Sequence, residues 1–441
     1  MSFPSFSSPT SLLTKVSNSA LPIIAGPEWH GRIQEVNSTL VKVAMPWAKM
    51  GELCEIQPDG ILAEVVAVTD EGTFISPFSD TNGLHRGQWV RACGGDYRIA
   101  LSDGMVGTLV DGLGRPLYEA SVPAMEYRSL FSPPPDPMSR QLISEPLPLG
   151  VKALDGTLTF AKGQRTGIFA AAGGGKSTLL SMLCDGTQAD VIVIALVGER
   201  GREVREFVEL TLSEEVRRRS VIVVATSERP ALERLKASWT ATTIAEYFRD
   251  KGLDVLLLVD SLTRYARAAR EVGLASGEPP VAGGYPPSVF ASLPRLLERA
   301  GPAARGSISA MYTVLVEGDN LNEPVADEVR SLLDGHIILS RKLAEANHYP
   351  AIDVGASTSR VMHMVVSEEH RMLAGRLRRL MSVYKDIELL VRVGEYQAGK
   401  DAEADEALHR WPLIRQFLCQ STHESVPWTK MLSELKQAVQ G

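Results

Sequence analysis

Cysteine is scarce and dispersed: Cys54, Cys93, Cys184 and Cys419 are the only four in 441 residues, and no two form a C-x-x-C pair. That spacing argues against a zinc ribbon or a disulfide framework and reads as the reduced, mostly buried thiols of a cytosolic protein. The eight histidines are equally scattered. No apolar run approaches the roughly 18 residues needed to span a bilayer, so any membrane contact is expected to pass through partners. Residues Met1–Pro27 are Ser-rich with a single lysine. They lack the charged-then-apolar order of a secretory leader and are expected to form a flexible lead. An excess of positive charge is also missing. The 53 acidic residues outnumber the 46 basic ones, for a formal net charge of -7, which argues against a broad electrostatic footprint for nucleic acid. What remains is 44% hydrophobic and 22% charged, the balance of a globular protein with an ample core. The length suggests about three domains.

The most informative stretch is Thr166–Leu180, T-G-I-F-A-A-A-G-G-G-K-S-T-L-L. A short apolar strand breaks into Gly173, Gly174 and Gly175, then Lys176, Ser177 and Thr178, then a helical start. Phosphate oxygens can approach backbone N–H groups there because glycine carries no Cβ, and a helix N-terminus adds unpaired donors. In such a P-loop Lys176 reaches the β- and γ-phosphates and Ser177 holds Mg²⁺. Against the form G-x-x-x-x-G-K-[ST], the first glycine falls on Ala170, a departure that requires a negative φ at that residue. The competing reading, a glycine-rich turn with an incidental lysine, does not explain the strand before it and the helix after it.

Six short β segments precede this loop: Gly31–Val36, Thr39–Met45, Leu53–Ile56, Ile61–Val68, Thr73–Pro77 and Gln88–Ala92. Two of them flank Thr69-Asp70-Glu71-Gly72, a hairpin signal. A small barrel over residues 28–95 removes the sheet edges these strands would otherwise expose. The proline-rich run Ser132–Pro137 marks a crossover, residues 96–146, into a core over 147–365. In that core, near-continuous apolar runs alternate with helical stretches: Thr166–Phe169, Val191–Val197, Val221–Ala225, Val255–Val259, Ser309–Val316 and His336–Leu339. The pattern predicts an α/β fold with a parallel sheet covered on both faces. Over 366–441 the period becomes helical. Leu373, Leu377, Leu380, Tyr384 and Ile387 share one helix face, and Arg371, Arg376, Arg378 and Arg379 are expected on the solvated one.

Two carboxylates lie where strands end. Asp260 closes the run Leu256–Asp260 and is expected near the Mg²⁺ and its waters. Glu199 follows Val191–Val197 directly, in a position to orient and polarise a water in line with a γ-phosphate. Arg200 beside it can steady phosphate charge, whereas Glu203, Arg205 and Glu206 read as surface residues of the next helix.

With these residues in place, the chain resembles the ATPases of type III secretion systems and their flagellar export relatives, within the larger family of rotary ATP synthase α and β subunits. The resemblance rests on D-G-L-G-R-P-L (Asp111–Leu117), G-E-R-G-R-E-V-R-E-F (Gly198–Phe207), A-T-S-E-R-P-A-L-E-R (Ala225–Arg234), D-S-L-T-R-Y-A-R-A-A-R-E (Asp260–Glu271), G-G-Y-P-P-S-V-F (Gly283–Phe290) and H-Y-P-A-I-D-V-G-A-S-T-S-R-V-M (His348–Met362), and it extends from Trp29 to Phe417. It implies a RecA-like P-loop core between an N-terminal β-barrel and a C-terminal helical domain, and hydrolysis of ATP with Mg²⁺. It also implies an arginine finger acting in trans, here Arg360, an adenine-stacking aromatic, here Tyr349, and Phe417 closing the other side of the purine. The implied assembly is a homo-oligomer, six in the family, around a central stalk protein, with a peripheral stator, export chaperones, secreted effectors and an inner-membrane export gate as partners. That places the chain in the cytoplasm, peripherally at the inner membrane, with chaperone release and cargo unfolding as its task. The virulence-type system fits better than flagellar export. A synthase catalytic subunit, a hexameric helicase and a non-hydrolysing regulatory subunit remain as alternatives at this stage.

Overall fold

The computed structural model describes residues 29–118, 123–171, 173–317 and 321–440. The expected N-terminal lead over residues 1–27 lies outside them, as does Ala172 of the glycine-rich loop. Strands β1 (His30–Val36), β2 (Val41–Val43), β3 (Leu53–Ile56), β4 (Ile61–Thr69), β5 (Gly72–Pro77) and β6 (Trp89–Ala92) close into an antiparallel barrel in the order β1-β2-β5-β4-β3-β6. Alternating inward residues, among them Ile33, Val41, Val43, Ile56, Val65, Ile75 and Val90, fill it. Closure leaves no sheet edge for another chain to pair with.

The crossover is more structured than its proline content suggests. Strand β7 (Arg98–Leu101) and strand β9 (Glu126–Ser129) form an antiparallel pair, and between them β8 (Leu109–Asp111) joins the edge of the core sheet. Asp111 ends β8 and starts a turn, its Oδ1 accepting from Leu113 N–H and Arg115 N–H at 2.9 Å each. The turn needs Gly112: a Cβ there would meet Glu233 O at 2.6 Å.

The core sheet contains β10 (Arg165–Ala170), β11 (Val191–Val197), β12 (Ser220–Ala225), β13 (Asp254–Asp260), a short β14 (Gly301–Pro302), β15 (Ser307–Leu315), β16 (Gly335–Leu339) and β17 (Thr358–Ser359). Its order is β17-β16-β10-β15-β13-β11-β12-β8, and from β16 to β8 every neighbour is parallel. All seven residues of β11 are buried, because side chains alternate between two covered faces. Val191, Val193, Ala195 and Val197 pack toward the long central helix Ala231–Asp250. Ile192, Ile194 and Leu196 belong to the opposite core, with the P-loop helix Lys176–Gly186 and the C-terminal helices. Those helices run Glu368–Arg392, Ala402–Leu418 and Trp428–Gln440. Of the residues expected on their core face, Leu373, Leu377 and Leu380 are buried. Arg378 is not on the solvated face: its Nη2 donates to Thr157 O at 3.2 Å and its Nη1 to Ser357 O at 3.2 Å. It sits one position after the buried Leu377, so its stem lies along the apolar stripe while its guanidinium reaches carbonyls across the seam.

Buried charge ties barrel and crossover to the core. Arg299 is fully buried, with Nε donating to Glu246 Oε1 at 2.8 Å, Nη2 to Thr243 Oγ1 at 2.9 Å and Nη1 to the crossover carbonyl of Leu130 at 2.5 Å. Lys236 of the central helix is also fully buried, 2.8 Å from Oε1 of Glu64 on β4, with its ammonium 4.0 Å from the ring centroid of Phe131. Removing one member of such a pair strands the other charge away from water, whereas replacing both with apolar groups does not. Lys236→Met is therefore expected to lower the stability of the barrel–core unit by about 3–5 kcal/mol, and Lys236→Met with Glu64→Leu to recover most of it. Denaturant unfolding followed by tryptophan fluorescence measures both.

Candidate active site

Three of the expected site residues, Lys176, Glu199 and Asp260, gather at the C-terminal edge of the parallel sheet. Strand β10 ends at Ala170, which pairs with Leu315 and Leu339 and is buried. Among the described non-glycine residues only Asn347 has a positive φ, so Ala170 satisfies the requirement that its departure from the P-loop pattern imposes. The left-handed positions are Gly173 at φ 81° and Gly175 at φ 80°, where a side chain would cost roughly 1–2 kcal/mol. Gly175 caps the helix Lys176–Gly186. The exposed Ser177 and half-buried Thr178 follow in its first turn.

Parallel register delivers two carboxylates to this lysine. Leu196 of β11 pairs with Asp260 of β13, and Val259 with Tyr312 of β15, so all these strands end at one level. Lys176 Nζ lies 2.5 Å from Asp260 Oδ1 and 3.4 Å from Glu199 Oε1. Thr313 donates to the same Asp260 Oδ1 at 2.6 Å, while Oδ2 has no hydrogen bond among the described residues. Glu199 is buried and follows Gly198, whose φ is 66°. Burial raises the Glu199 pKa above the usual carboxylate range, the neighbouring Asp260 charge raises it further, and Lys176 and Arg264 oppose the shift. One cation thus serves two desolvated carboxylates.

The other expected residues are distributed differently. Arg200 is largely exposed and pairs with Glu203 at 3.5 Å. Tyr349 adjoins the P-loop, since a Cβ built on Gly175 would lie 3.3 Å from its Cε1. Phe417, expected to close the other side of the purine, has a buried side chain. Only 3% exposed, it packs against Gly156 and Met431 in the seam under the C-terminal helices. The segment that borders Tyr349 begins at Cys419: Gln420 N–H donates to Tyr349 O at 2.8 Å, and Cys419 Sγ is 3.4 Å from Nδ1 of His348.

Arg360 lies at the opposite edge of the sheet. Its N–H donates to Asp334 O at 2.9 Å, and Asp334 N–H donates to O of Arg165, the first residue of β10. The six residues of β10 separate that edge from the P-loop, roughly 15–20 Å at about 3.3 Å per residue. The guanidinium is exposed and makes no hydrogen bond or ion pair among the described residues.

Residues 33–94 match the ATP synthase alpha/beta family, beta-barrel domain, residues 150–359 its nucleotide-binding domain, and residues 366–437 the T3SS EscN ATPase C-terminal domain. The SPI-2 type 3 secretion system ATPase of Salmonella typhimurium is 55% identical over 407 residues, 92% of this chain and 94% of its own. The chain belongs to the type III secretion ATPases. A flagellum-specific ATP synthase of Bacillus subtilis is 47% identical, covering 90% of this chain and 92% of its own. The assembled ATPase EscN of enteropathogenic E. coli superposes with a TM-score of 0.90 at 54% identity, covering 93% of this chain and 100% of the other. EscN in complex with its central stalk EscO gives 0.87 at 52%, again covering 93% and 100%.

In this ATPase two polar residues at the site escape a reading by motif alone. Thr313 sits in the middle of an apolar strand, where its hydroxyl gives no signal. Arg264 follows Asp260 by four residues in D-S-L-T-R-Y, a spacing that could have marked it. Its side chain lies over Gly198, at 3.1 Å from a Cβ built there, and its Nε is buried without a hydrogen-bond partner. Replacing Lys176 by alanine leaves Asp260 and Glu199 without their shared cation and removes the group expected to reach the phosphates. Lys176→Ala is expected to abolish ATP hydrolysis and weaken ATP binding, read by phosphate release and nucleotide titration; ordinary turnover in that variant would remove the P-loop assignment.

Proposed function

We propose that this ATPase splits ATP in pockets shared between two copies of the chain. Lys176 and the P-loop amides hold the triphosphate of one copy, and Glu199 of that copy orients the attacking water and draws on its proton. Arg360 of the partner subunit meets the charge that develops on the transferred phosphoryl group. The observation that carries the reading is the separation of Arg360 from Lys176 by the full length of β10. Within one chain the two act at opposite ends of the sheet, while copies arranged head to tail bring them together. Arg264, with its unpartnered Nε facing the Glu199 side of the cleft, is a further phosphate-side cation. Tyr349 and the segment after Cys419 border the purine.

Divalent metal fits the donors present. Ser177 is exposed at the helix start, and Asp260 keeps Oδ2 free of protein partners. Mg²⁺ held there through Ser177, with Asp260 acting by way of its waters, would neutralise phosphate charge.

The ring that these shared pockets imply has six members in this reading, as in the wider family. EscN, so similar in fold, has been seen assembled and with its central stalk EscO, which supports a stalk-type partner in the channel here. A peripheral stator, export chaperones with their effectors and the inner-membrane export gate complete the partners, and the work done is chaperone release and unfolding of cargo at the cytoplasmic entrance. No helix of the described residues is long and apolar enough to cross a membrane, consistent with attachment by partners.

Two measurements test the proposal. Arg360→Ala is expected to bind ATP normally and to hydrolyse it roughly 10³–10⁵-fold more slowly. Mixing it with Glu199→Gln is expected to restore activity at hybrid interfaces, and no recovery would remove the trans geometry. Because the raised Glu199 pKa applies to the form that must be ionised, turnover is full above that pKa and is lost as pH falls through it. The acid limb of kcat/KM, which reports the free enzyme, is therefore expected above the range of an ordinary glutamate, about 4.3.

A further inference from the structure

The arm that carries Arg360 is slight. Strand β17 has two residues, Thr358 and Ser359, and pairs only with His336 and Gly335. A long arginine on so short a strand can meet a neighbouring phosphate only if its backbone is held. Ser359 Oγ donates to Thr159 O at 3.3 Å and Arg378 Nη1 to Ser357 O at 3.2 Å, while the backbone of Arg360 itself is held by Asp334. Asp334 uses both backbone groups and its carboxylate. Its O accepts from Arg360 N–H at 2.9 Å and its N–H donates to Arg165 O at 2.8 Å. Its Oδ2 accepts from Arg165 N–H at 3.0 Å and from Nε at 3.3 Å, and its Oδ1 from Nη2 at 3.4 Å. Arg165 is fixed in turn by Glu298, whose Oε1 is 2.6 Å from Nη1. The next residue, Gly335, lets the arm lie flush, since a Cβ there would be 2.6 Å from Thr358 O.

We infer that Asp334, gripped by Arg165, is a positioning residue for the reaction at the neighbouring copy's site: it sets the backbone from which Arg360 reaches across. The inference rests on the trans role of Arg360. The Asp334–Arg165 pair sits at the sheet's edge with side chains only 25% and 15% exposed, so its loss is expected to lower stability as well as turnover. Mixing variants separates the two effects. A displacement of about 1 Å at a positioning group can lower a rate by as much as 10²-fold.

The test uses the full chain carrying Asp334→Asn. Its kcat is expected to fall about 10–100-fold, with the ATP dissociation constant unchanged within about twofold. The variant keeps a complete Glu199 side and offers a misplaced finger, so mixing it with Glu199→Gln should restore activity as Arg360→Ala does. Mixing it with Arg360→Ala should restore none, because both are defective on the same side of the interface. Arg165→Lys, which keeps the charge and loses the fork, should give the same pattern with a smaller loss. Wild-type turnover in Asp334→Asn overturns the inference. So does an inactive variant that Glu199→Gln fails to rescue while Arg360→Ala is rescued, since that marks a fold or cis-site defect. If Arg360→Ala itself is not rescued, the trans reading falls and this inference with it.

Discussion

A single ammonium group stands between two buried carboxylates, and the catalytic edge of the sheet is arranged around that imbalance. Taking a carboxylate out of water costs several kcal/mol even after relaxation. Lys176 lies within 2.5 Å of Asp260 and 3.4 Å of Glu199, so it offsets both desolvations at once and leaves that of Glu199 incompletely compensated. The raised Glu199 pKa is the measure of what remains. A triphosphate entering the loop competes for the same cation. Glycine amides at the helix start offer it further donors, while Glu199 is left beside Arg264. In the proposed reading the site exchanges one set of negative partners for another.

The constraint reaches outward through strand register. Glu199 and Asp260 meet Lys176 because β10, β15, β13 and β11 run parallel and end together. In a parallel sheet the opposite edge is then equally well defined, and here it carries Asp334, Arg165 and Arg360. One strand, β10, thus joins the phosphate loop at its end to the finger's anchor at its beginning. A rigid, close-packed sheet keeps the two functions a fixed distance apart. A contact that unites them must pair unlike edges of two copies, and head-to-tail contacts of that kind close into rings when the rotation permits.

The C-terminal helices brace both ends. Arg378 donates to Thr157 O and to Ser357 O just ahead of the Arg360 arm. Gln420 receives Lys152 N–H on its Oε1 at 2.9 Å, donates from Nε2 to Gly150 O at 2.7 Å and holds Tyr349 through its own N–H. Asp155, fully buried, accepts from Leu149 N–H and Gly150 N–H in the same turn, and burial pushes its pKa up to about 7 despite those donors. The bonds of Arg378 to Thr157 and of Gln420 to Lys152 and Gly150 join segments more than 200 residues apart in sequence, whereas Asp155 secures its own local turn. In either case an unmade bond in this buried seam would be costly.

That distance also explains what could be read from sequence. Val191–Val197 was legible to the residue because an uninterrupted apolar run has few alternatives in an α/β chain. The P-loop was legible because its chemistry is local, and Glu199 because it follows that run at once. Strand β8 was not, since three residues between turn-formers give no period. The resemblance implies Phe417 at the purine, while its helix buries it with Ala404, Ala407, Ile414 and Leu418. Ile414, three residues before it, shares its helix face. Arg378 misled because a charged residue flanking an apolar stripe can extend along it to carbonyls that no local pattern announces. The position of Arg360 was beyond sequence altogether. It depends on Gly335 pairing with Ser359 and on Arg165 meeting Asp334, contacts between residues that only the folded sheet brings to one edge. Motifs name the groups that touch the nucleotide, but whether two of them can act within one molecule is decided by which edge of the sheet each occupies.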